Sequence, residues 1–305
     1  MSQIILHDVG LRDGLQIEKT VVPTEQKIAW VRALADAGVD VIQVGSFVHK
    51  EKMPQMADTD DVFAHFSQPA NKPPRARLSA LVLNEKGMER GFACGVDYFC
   101  MGVSASDTHS RKNTGMSTEE ASTRIIAMAK KAVEAGATVQ VSVQSAFGCG
   151  FEGPIPESRV LDIVRRFHEA GLFTVSLADT AGHATPDQVE RLFGAVLAID
   201  PAIECACHLH DTYGIGMANA WAALRAEVKY FETAFGGMGG CPFTKIAGGN
   251  LCTEDFVHML QRMGHRPDLD LDALIQLSKD AGRFFGRDMA GRVWKSGPIR
   301  TVATV

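Results

Sequence analysis

Short apolar runs of strand length alternate with longer amphipathic stretches along almost the whole chain, and this alternation constrains the fold more than any other feature. Each run is followed by a segment with helical length and spacing, which is typical of parallel strands joined by crossover helices. About eight such repeats in 305 residues are what one closed α/β barrel needs. The predicted strands are residues 4–9, 39–44, 77–83, 96–103, 138–143, 174–177, 204–208 and 230–234.

Helix start and stop signals punctuate these repeats. Ser117 followed by Glu120 is a capping box that predicts a helix to about residue 135, and Thr185 before Pro186 opens another. A segment at about 269–285 is also helical in pattern and lies beyond the eighth repeat, so we expect it to cover one end of the barrel. Several predicted helices end at a glycine suited to a left-handed cap, namely Gly38, Gly95, Gly136 and Gly171.

These observations predict one domain of the α/β class, a (β/α)8 TIM barrel with extra C-terminal helices. The domain spans residues 1–305, with the barrel at about 1–265 and a C-terminal cap at 266–305. An open, doubly wound sheet is the alternative fold. It would need a glycine-rich dinucleotide turn after the first strand, and the sequence VGLRDG at residues 9–14 is not one.

Composition narrows the range of partners and compartments. The net charge of −5, without an evident basic face, argues against a nucleic-acid partner. The seven cysteines are scattered without paired Cys-x-x-Cys spacing, which indicates reduced thiols rather than disulfides or a zinc knuckle. No stretch approaches the roughly 18 apolar residues of a membrane span, and the N-terminus does not resemble a signal peptide. We therefore expect a soluble, cytoplasmic protein with no membrane partner.

The strongest chemical signal is His208-Leu209-His210, where the seventh strand ends. Side chains two residues apart in a strand point to the same side, so the two imidazoles should converge. A pair of buried, hydrogen-bonded histidines is the other interpretation. Asp13 follows the first strand and Asn250 follows the eighth, and strands one, seven and eight are neighbours in a closed barrel. This donor set predicts a catalytic divalent-metal site. It suits Mg²⁺, Mn²⁺, Co²⁺ or Zn²⁺, and ligand type alone does not choose among them; we expect Mg²⁺ or Mn²⁺.

Two further features lie close to this predicted site in the sequence. Arg12 precedes the metal carboxylate, and its guanidinium fork is suited to a carboxylate or an enolate oxygen. Cys241 follows four glycines within six residues after the eighth strand, which indicates a mobile loop over a bound substrate. A solvated arginine and a small apolar residue in a turn are the respective alternatives.

Taken together, these motifs resemble the 3-hydroxy-3-methylglutaryl-CoA lyase branch of the metal-dependent aldolase-type barrels. The resemblance covers nearly the whole chain. It includes VGLRDGLQ at residues 9–16, SFV at 46–48, PQM at 54–56, SLADT at 176–180, HLHDTYG at 208–214, GGCPF at 239–243 and NLCTED at 250–255.

The resemblance implies a divalent-metal-dependent lyase that cleaves a branched 3-hydroxyacyl-CoA to acetyl-CoA and a 3-keto acid, with a place in leucine catabolism. It implies a homodimer or larger homo-oligomer. Some relatives of this family act on longer, terpenoid-derived thioesters, so a larger acyl group is also compatible. The implied metal ligands are Asp13, His208, His210 and Asn250, the catalytic residues are Arg12, Asp179 and Cys241, and the substrate contacts are Arg12, Gln16, Gln43, Ser106 and Lys112.

The expected reaction is a retro-Claisen cleavage. Asp179 would remove the proton of the 3-hydroxyl, Arg12 would stabilise the thioester enolate, and Cys241 would protonate the product carbon. Ser106 and Lys112 resemble the family segment near the acyl-CoA, where a cation could meet phosphate charge.

The sequence also departs from the family pattern, most importantly at Gln43, where the family has a glutamate. An amide cannot take a proton or balance the charge of Arg12 or the metal. The other interpretation is a tolerated isosteric change that keeps the hydrogen bonds. Leu11 replaces the usual proline, and the stretch at residues 234–236 differs from the usual Ser/Val-rich sequence. Two alternative functions therefore remain open: an acyl-CoA-dependent Claisen-type synthase, and a barrel that binds metal and acyl-CoA without turnover.

Overall fold

The structure, a computed structural model, describes residues 4–240 and 249–299. Eight parallel strands follow one another in chain order around a closed barrel, and β8 pairs with β1 to complete it. This topology confirms the predicted TIM barrel. The strands are β1 (Ile5–Asp8), β2 (Val41–Ser46), β3 (Arg77–Leu81), β4 (Tyr98–Ser104), β5 (Thr138–Gln144), β6 (Thr174–Asp179), β7 (Glu204–Leu209) and β8 (Tyr230–Thr233).

Helices connect the strands and surround the barrel. Short helical turns at Gly10–Gly14, Pro54–Met56 and Phe235–Gly237 lie between the longer elements. The helices are α1 (Thr24–Asp36), α2 (Thr59–Ser67), α3 (Glu85–Ala93), α4 (Asp107–Thr114), α5 (Thr118–Glu134), α6 (Glu157–Glu169), α7 (Pro186–Leu197), α8 (Gly216–Arg225), α9 (Thr253–Arg262), α10 (Leu271–Phe285) and α11 (Val293–Ser296).

Local signals in the sequence place several boundaries of these elements. Ser117 and Glu120 form both hydrogen bonds of the predicted capping box at the start of α5. The strands β6 and β7 run further than predicted, because they continue to pair with each other as far as Asp179 and Leu209. Positive φ angles are found at all four predicted glycine caps, which are Gly38, Gly95, Gly136 and Gly171.

The helix α10 lies along the barrel wall rather than across one end, which corrects the expectation of an end cover. Asp270, at its start, donates its amide to the carbonyl of Ala37 at the end of α1, near the amino end of β2. The chain just after α10 returns to the carboxyl end of β8, where the amide of Ala290 binds the carbonyl of Gly236. The apolar face of α10, which includes Leu274, is buried because α1 and α9 flank this helix.

The described residues bear on two expectations from the sequence, the absence of a membrane-spanning helix and the reduced state of the cysteines. In residues 4–240 and 249–299, no helix combines the length and apolar character needed to cross a bilayer. The cysteines in these ranges are free thiols: Cys94, Cys100, Cys149, Cys205, Cys207 and Cys252.

Candidate metal centre and active site

Asp13 is carried to the barrel rim by the wide helical turn that follows β1. The carbonyl of Val9 accepts hydrogen bonds from the amides of Arg12, Asp13 and Gly14, which closes one π-type turn of the backbone. Such turns are frequent at functional sites because they change the direction of a side chain. Here the turn directs Asp13 toward β7, with its carboxylate Oδ2 3.5 Å from Nε2 of His210 and 3.8 Å from Nε2 of His208.

The two imidazoles converge as the spacing predicts, and a separate acceptor holds each ring. Nδ1 of His208 donates to Oε2 of Glu232 at 2.9 Å, and Nδ1 of His210 donates to the backbone carbonyl of Asp179 at 2.9 Å. Because both Nδ1 atoms carry their proton toward an acceptor, both Nε2 atoms can present a lone pair to a cation. The ligand atoms of Asp13 and both histidines lie within 4.8 Å of one another.

Asn250 completes the group from the segment that follows β8. This segment runs beside the end of β7, where the amide of Leu251 binds the carbonyl of Leu209. The side-chain amide Nδ2 of Asn250 donates to Oδ2 of Asp13 and to the carbonyl of Met238, both at 2.9 Å. The NH₂ group of this amide, rather than its oxygen, therefore lies beside the carboxylate oxygen that both imidazoles approach.

Two buried atoms of this group make no hydrogen bond within the described ranges: Nε2 of His210 and Oδ1 of Asn250. Leaving a buried polar atom unpaired is costly, and a bound cation would pair Nε2 of His210. The cation would also pair Oδ1 of Asn250 once that side-chain amide is turned over. The residues therefore fit a divalent metal, with one carboxylate, one amide oxygen and two imidazole nitrogens as donors.

Arg12 lies beside this group and faces the same cavity. Its guanidinium forms a salt bridge with Oδ1 of Asp13, and its Nε donates to Oε1 of Gln43. Burial by itself would raise the pKa of Asp13, but the positive charge of Arg12 and the contacts with His210 and His208 outweigh burial and hold that pKa well below its usual range. Asp13 is therefore ionised, as a metal ligand must be, and Gln43 determines the direction of the guanidinium.

A cavity of about 310 Å³ opens above these side chains at the carboxyl ends of the strands. Arg12, Asp13, His208 and His210 line it, as the active rim of a TIM barrel requires. Four of the predicted substrate contacts were Gln16, Gln43, Ser106 and Lys112, of which the first two line the cavity.

Ser106 precedes α4 as its N-cap residue, and Lys112 lies within the helix. Ser106 is fully buried, and its hydroxyl caps the helix by accepting the amide of His109 and donating to Glu152. The ammonium of Lys112 lies over the ring of Phe151, 4.8 Å from its centroid. The same helix presents His109 and Asn113 to the cavity instead. Ser106 and Lys112 are therefore not part of this cavity wall, and their contacts with the acyl-CoA stay a prediction.

Asp179 is also placed differently from the role expected of it. It is fully buried, and its carboxylate oxygens accept the backbone amides of His183 and Ala184 at 2.8 and 3.1 Å. Burial raises the pKa of this carboxyl group. Its carboxylate is not part of the cavity wall, whereas its carbonyl binds His210. The geometry thus gives Asp179 a positioning contact and does not support it as the general base.

Cys241, the predicted loop cysteine, lies outside the described residues. The preceding residue, Gly240, lines the cavity. The role of Cys241 therefore stays a prediction.

Glu232 is the site residue that the sequence analysis missed. It is 5% exposed, and its Oε1 accepts hydrogen bonds from Gln140 Nε2 at 2.6 Å and Ser176 Oγ at 2.9 Å, while Oε2 accepts from His208. Burial opposes its ionisation, but the contacts with His208 lower the pKa of Glu232 to about 2. A signal was available: both faces of a barrel strand are buried, so an acidic residue within the eighth strand needs polar partners whichever face it occupies.

Changing Glu232 to Gln should weaken metal binding about tenfold to a hundredfold, because the carboxylate that orients a metal-binding histidine contributes that much. The new NH₂ group would also face the donors of Gln140 and Ser176 without accepting from them. Isothermal titration of the metal-free protein with Mn²⁺ measures the change. Glu204→Gln, at the amino end of β7, is the matched control, and an unchanged Mn²⁺ affinity in Glu232→Gln would contradict the assignment.

Comparison with known proteins places the chain among acyl-CoA lyases. A sequence model of the HMGL-like family matches residues 3–280. A hydroxymethylglutaryl-CoA lyase of Bacillus subtilis is 34% identical over 291 residues, covering 95% of this chain and 96% of the relative. An (R)-citramalyl-CoA lyase of Chloroflexus aurantiacus is 35% identical over 305 residues, covering 98% and 96%.

A solved structure is equally similar. The HMG-CoA lyase of Acinetobacter baumannii, in complex with coenzyme A and 3-methylmalate, superposes with a TM-score of 0.91 at 34% identity. The match covers 99% of this chain and 98% of that one.

Proposed function

The chain belongs to the HMGL-like family, and on that premise we propose that it is a metal-dependent carbon–carbon lyase acting on 3-hydroxy-3-methylglutaryl-CoA or a related branched 3-hydroxyacyl-CoA. The products would be acetyl-CoA and a keto acid. The observation that carries the proposal is the convergence of Arg12, Asp13, His208 and His210 on one cavity at the barrel rim.

The bound cation would supply Lewis-acid polarisation of the substrate's 3-hydroxyl and carboxylate oxygens. Arg12 stabilises the negative charge that develops on the thioester oxygen when the C2–C3 bond breaks. Gln43 keeps the guanidinium in that direction through its hydrogen bond to Nε. Asp179 holds His210 through its carbonyl. As the C2–C3 bond breaks to leave a ketone and an enolate, the 3-hydroxyl loses its proton to solvent in the open cavity. We propose that Cys241, next to Gly240 of the cavity wall, gives a proton to the enolate carbon and regains one from solvent.

The metal, the cellular location, the oligomeric state and the metabolic role are proposed on separate grounds. We propose Mg²⁺ or Mn²⁺ as the metal, since two protein oxygens and two substrate oxygens would dominate its coordination. A cytoplasmic location, a homo-oligomeric state and a place in leucine catabolism are proposed from the family resemblance.

A direct assay separates this function from its alternatives. Purified protein with Mn²⁺ is expected to release acetyl-CoA from 3-hydroxy-3-methylglutaryl-CoA or a close homologue, measured by a coupled assay. Condensation of a 2-keto acid with acetyl-CoA in the same preparation would favour the synthase. A raised melting temperature with acyl-CoA, but no product across branched 3-hydroxyacyl-CoAs, would favour the binding protein.

Gln43→Leu should lower kcat about tenfold or more, because Arg12 loses the acceptor that orients it. Gln43→Glu should retain most of the turnover, since a carboxylate accepts the same hydrogen bond. Steady-state kinetics of both variants with 3-hydroxy-3-methylglutaryl-CoA give the test. If only the Glu variant cleaves this thioester, Gln43 marks a changed activity rather than a retained contact.

A further inference from the structure

The inner face of β5 is polar, which is unusual for a barrel strand. Gln140, Ser142 and Gln144 line the cavity, while the intervening valines at 139, 141 and 143 are buried on the other face. TIM-barrel interiors are normally filled with branched apolar side chains. Polar groups at such positions need partners, from the protein or from a ligand.

The lowest of the three polar residues has its partners within the protein. Gln140 accepts from the hydroxyl of Tyr98 at 3.2 Å and donates to Glu232 at 2.6 Å. Since Glu232 binds His208, Gln140 lies at the level just below the metal centre. Strands rise about 3.3 Å per residue, so Ser142 and Gln144 follow at steps of about 6.6 Å toward the rim.

These two upper residues have little bonding within the protein. The hydroxyl of Ser142 makes one long contact of 3.4 Å to the carbonyl of Met101. Within residues 4–240 and 249–299, the side-chain amide of Gln144 has no hydrogen-bond partner, although it lines the cavity. Donors and acceptors therefore face the substrate space at and above the level of the metal centre.

A glycine on the neighbouring strand leaves room for both groups. Gly102 of β4 pairs with Ser142, and a Cβ atom at Gly102 would lie 2.6 Å from Ser142 Oγ and 2.9 Å from Gln144 Nε2. Any larger residue at this position would displace both polar side chains from the wall. The space for Ser142 and Gln144 on β5 therefore depends on the absence of a side chain at Gly102 on β4.

Ser142 and Gln144 form a polar wall of the cavity. In the proposed reaction, 3-hydroxy-3-methylglutaryl-CoA offers this polar wall no hydrogen-bonding group. The 3-hydroxyl and the carboxylate are directed to the metal centre, and the thioester oxygen to Arg12. The remaining C3 substituent is a methyl group, which forms no hydrogen bond. If a methyl group or a longer hydrocarbon lay against the Gln144 side-chain amide, that amide would lose its hydrogen bonds to water and gain none in return.

We propose that the C3 substituent of the physiological substrate carries a neutral hydrogen-bonding group, such as a hydroxyl, that binds Ser142 and Gln144. This inference rests on the lyase function proposed above and specifies its substrate class. A neutral group is favoured because β5 supplies only uncharged side chains here, and a desolvated second carboxylate would need a cation. The same wall disfavours the longer terpenoid-type acyl groups.

The test compares three thioesters that differ only at C3, with methyl, ethyl or hydroxymethyl substituents. Ethyl and hydroxymethyl have nearly the same size, so their ratio isolates the hydrogen bond. The kcat/KM for acetyl-CoA release should favour hydroxymethyl over ethyl by about tenfold to a hundredfold in the wild type. Gln144→Leu should abolish or reverse that preference, whereas Gln276→Leu, the same change on the outer face of α10, should leave it unchanged.

The outcomes separate the inference from the lyase function. If all three thioesters are cleaved and ethyl equals or exceeds hydroxymethyl, the substrate class is wrong while the lyase function stands. If none is cleaved, the melting temperature of the Mn²⁺-loaded protein with each thioester decides. A larger stabilisation by hydroxymethyl, lost in Gln144→Leu, would support the specificity of the wall without lyase activity, and equal stabilisation would overturn it.

Discussion

Replacing His210 with alanine is expected to remove metal binding and carbon–carbon cleavage together. His210 is one of the two proposed imidazole donors, and its Nε2 is among the buried atoms without a hydrogen bond in the described ranges. Without the cation, the substrate alkoxide and carboxylate lose their main electrostatic stabilisation, and turnover should fall on the order of a thousandfold or more. Metal content by inductively coupled plasma spectrometry, together with acetyl-CoA release, measures both effects.

A control histidine distinguishes this effect from general destabilisation. His65 on α2 contacts Arg32 away from the cavity, and His65→Ala should retain both metal and turnover. Circular dichroism should give the same helical signal for both variants. A His210→Ala protein with full metal occupancy and normal kcat would refute the proposed centre.

The second large effect is expected for Arg12→Ala. The guanidinium faces the cavity with 13% of its side chain exposed, between Gln43 and Asp13. Loss of a preorganised donor at a developing oxyanion costs about a hundredfold to a thousandfold in kcat. Metal content should stay close to that of the wild type, because Arg12 is not a ligand and the four donors remain.

Arg12→Lys refines this test. Lysine keeps the positive charge but loses the planar fork, so it cannot bind Gln43 and the substrate oxygen at once. Its kcat should fall between those of the wild type and Arg12→Ala. Near-normal turnover of the alanine variant would exclude Arg12 from charge stabilisation, and loss of metal in that variant would indicate a structural role through Asp13.

The effect of having Gln43 in place of a glutamate depends on where its side-chain oxygen lies relative to Arg12. As a sequence change, the replacement of the family's glutamate removes a charge that could balance Arg12 or accept a proton. In the structure its Oε1 accepts from Nε of Arg12, which preserves the directional contact. A neutral acceptor leaves more net positive charge on the guanidinium, which is compatible with stabilising an anionic enolate.

Sequence periodicity alone determined the barrel. Alternating strand-length and helix-length segments can bury their apolar faces in few ways, so eight repeats predicted the closed parallel barrel. The two-residue spacing of His208 and His210 likewise predicted convergence, because side chains alternate along a strand. The proximity of Asp13 followed from the shared rim of parallel strands, and the structure brings these three together.

Only the tertiary structure decided which other side chains face the cavity. Asp179 lies at a strand end, as a catalytic residue would, but local backbone amides capture its carboxylate. Ser106 caps a helix and is not part of the cavity wall, and Glu232 gains its role from contacts with residues 24 to 92 positions away in the chain. Local patterns specify the direction of the backbone, whereas the partners of a polar side chain depend on which distant strands lie beside it once the barrel closes.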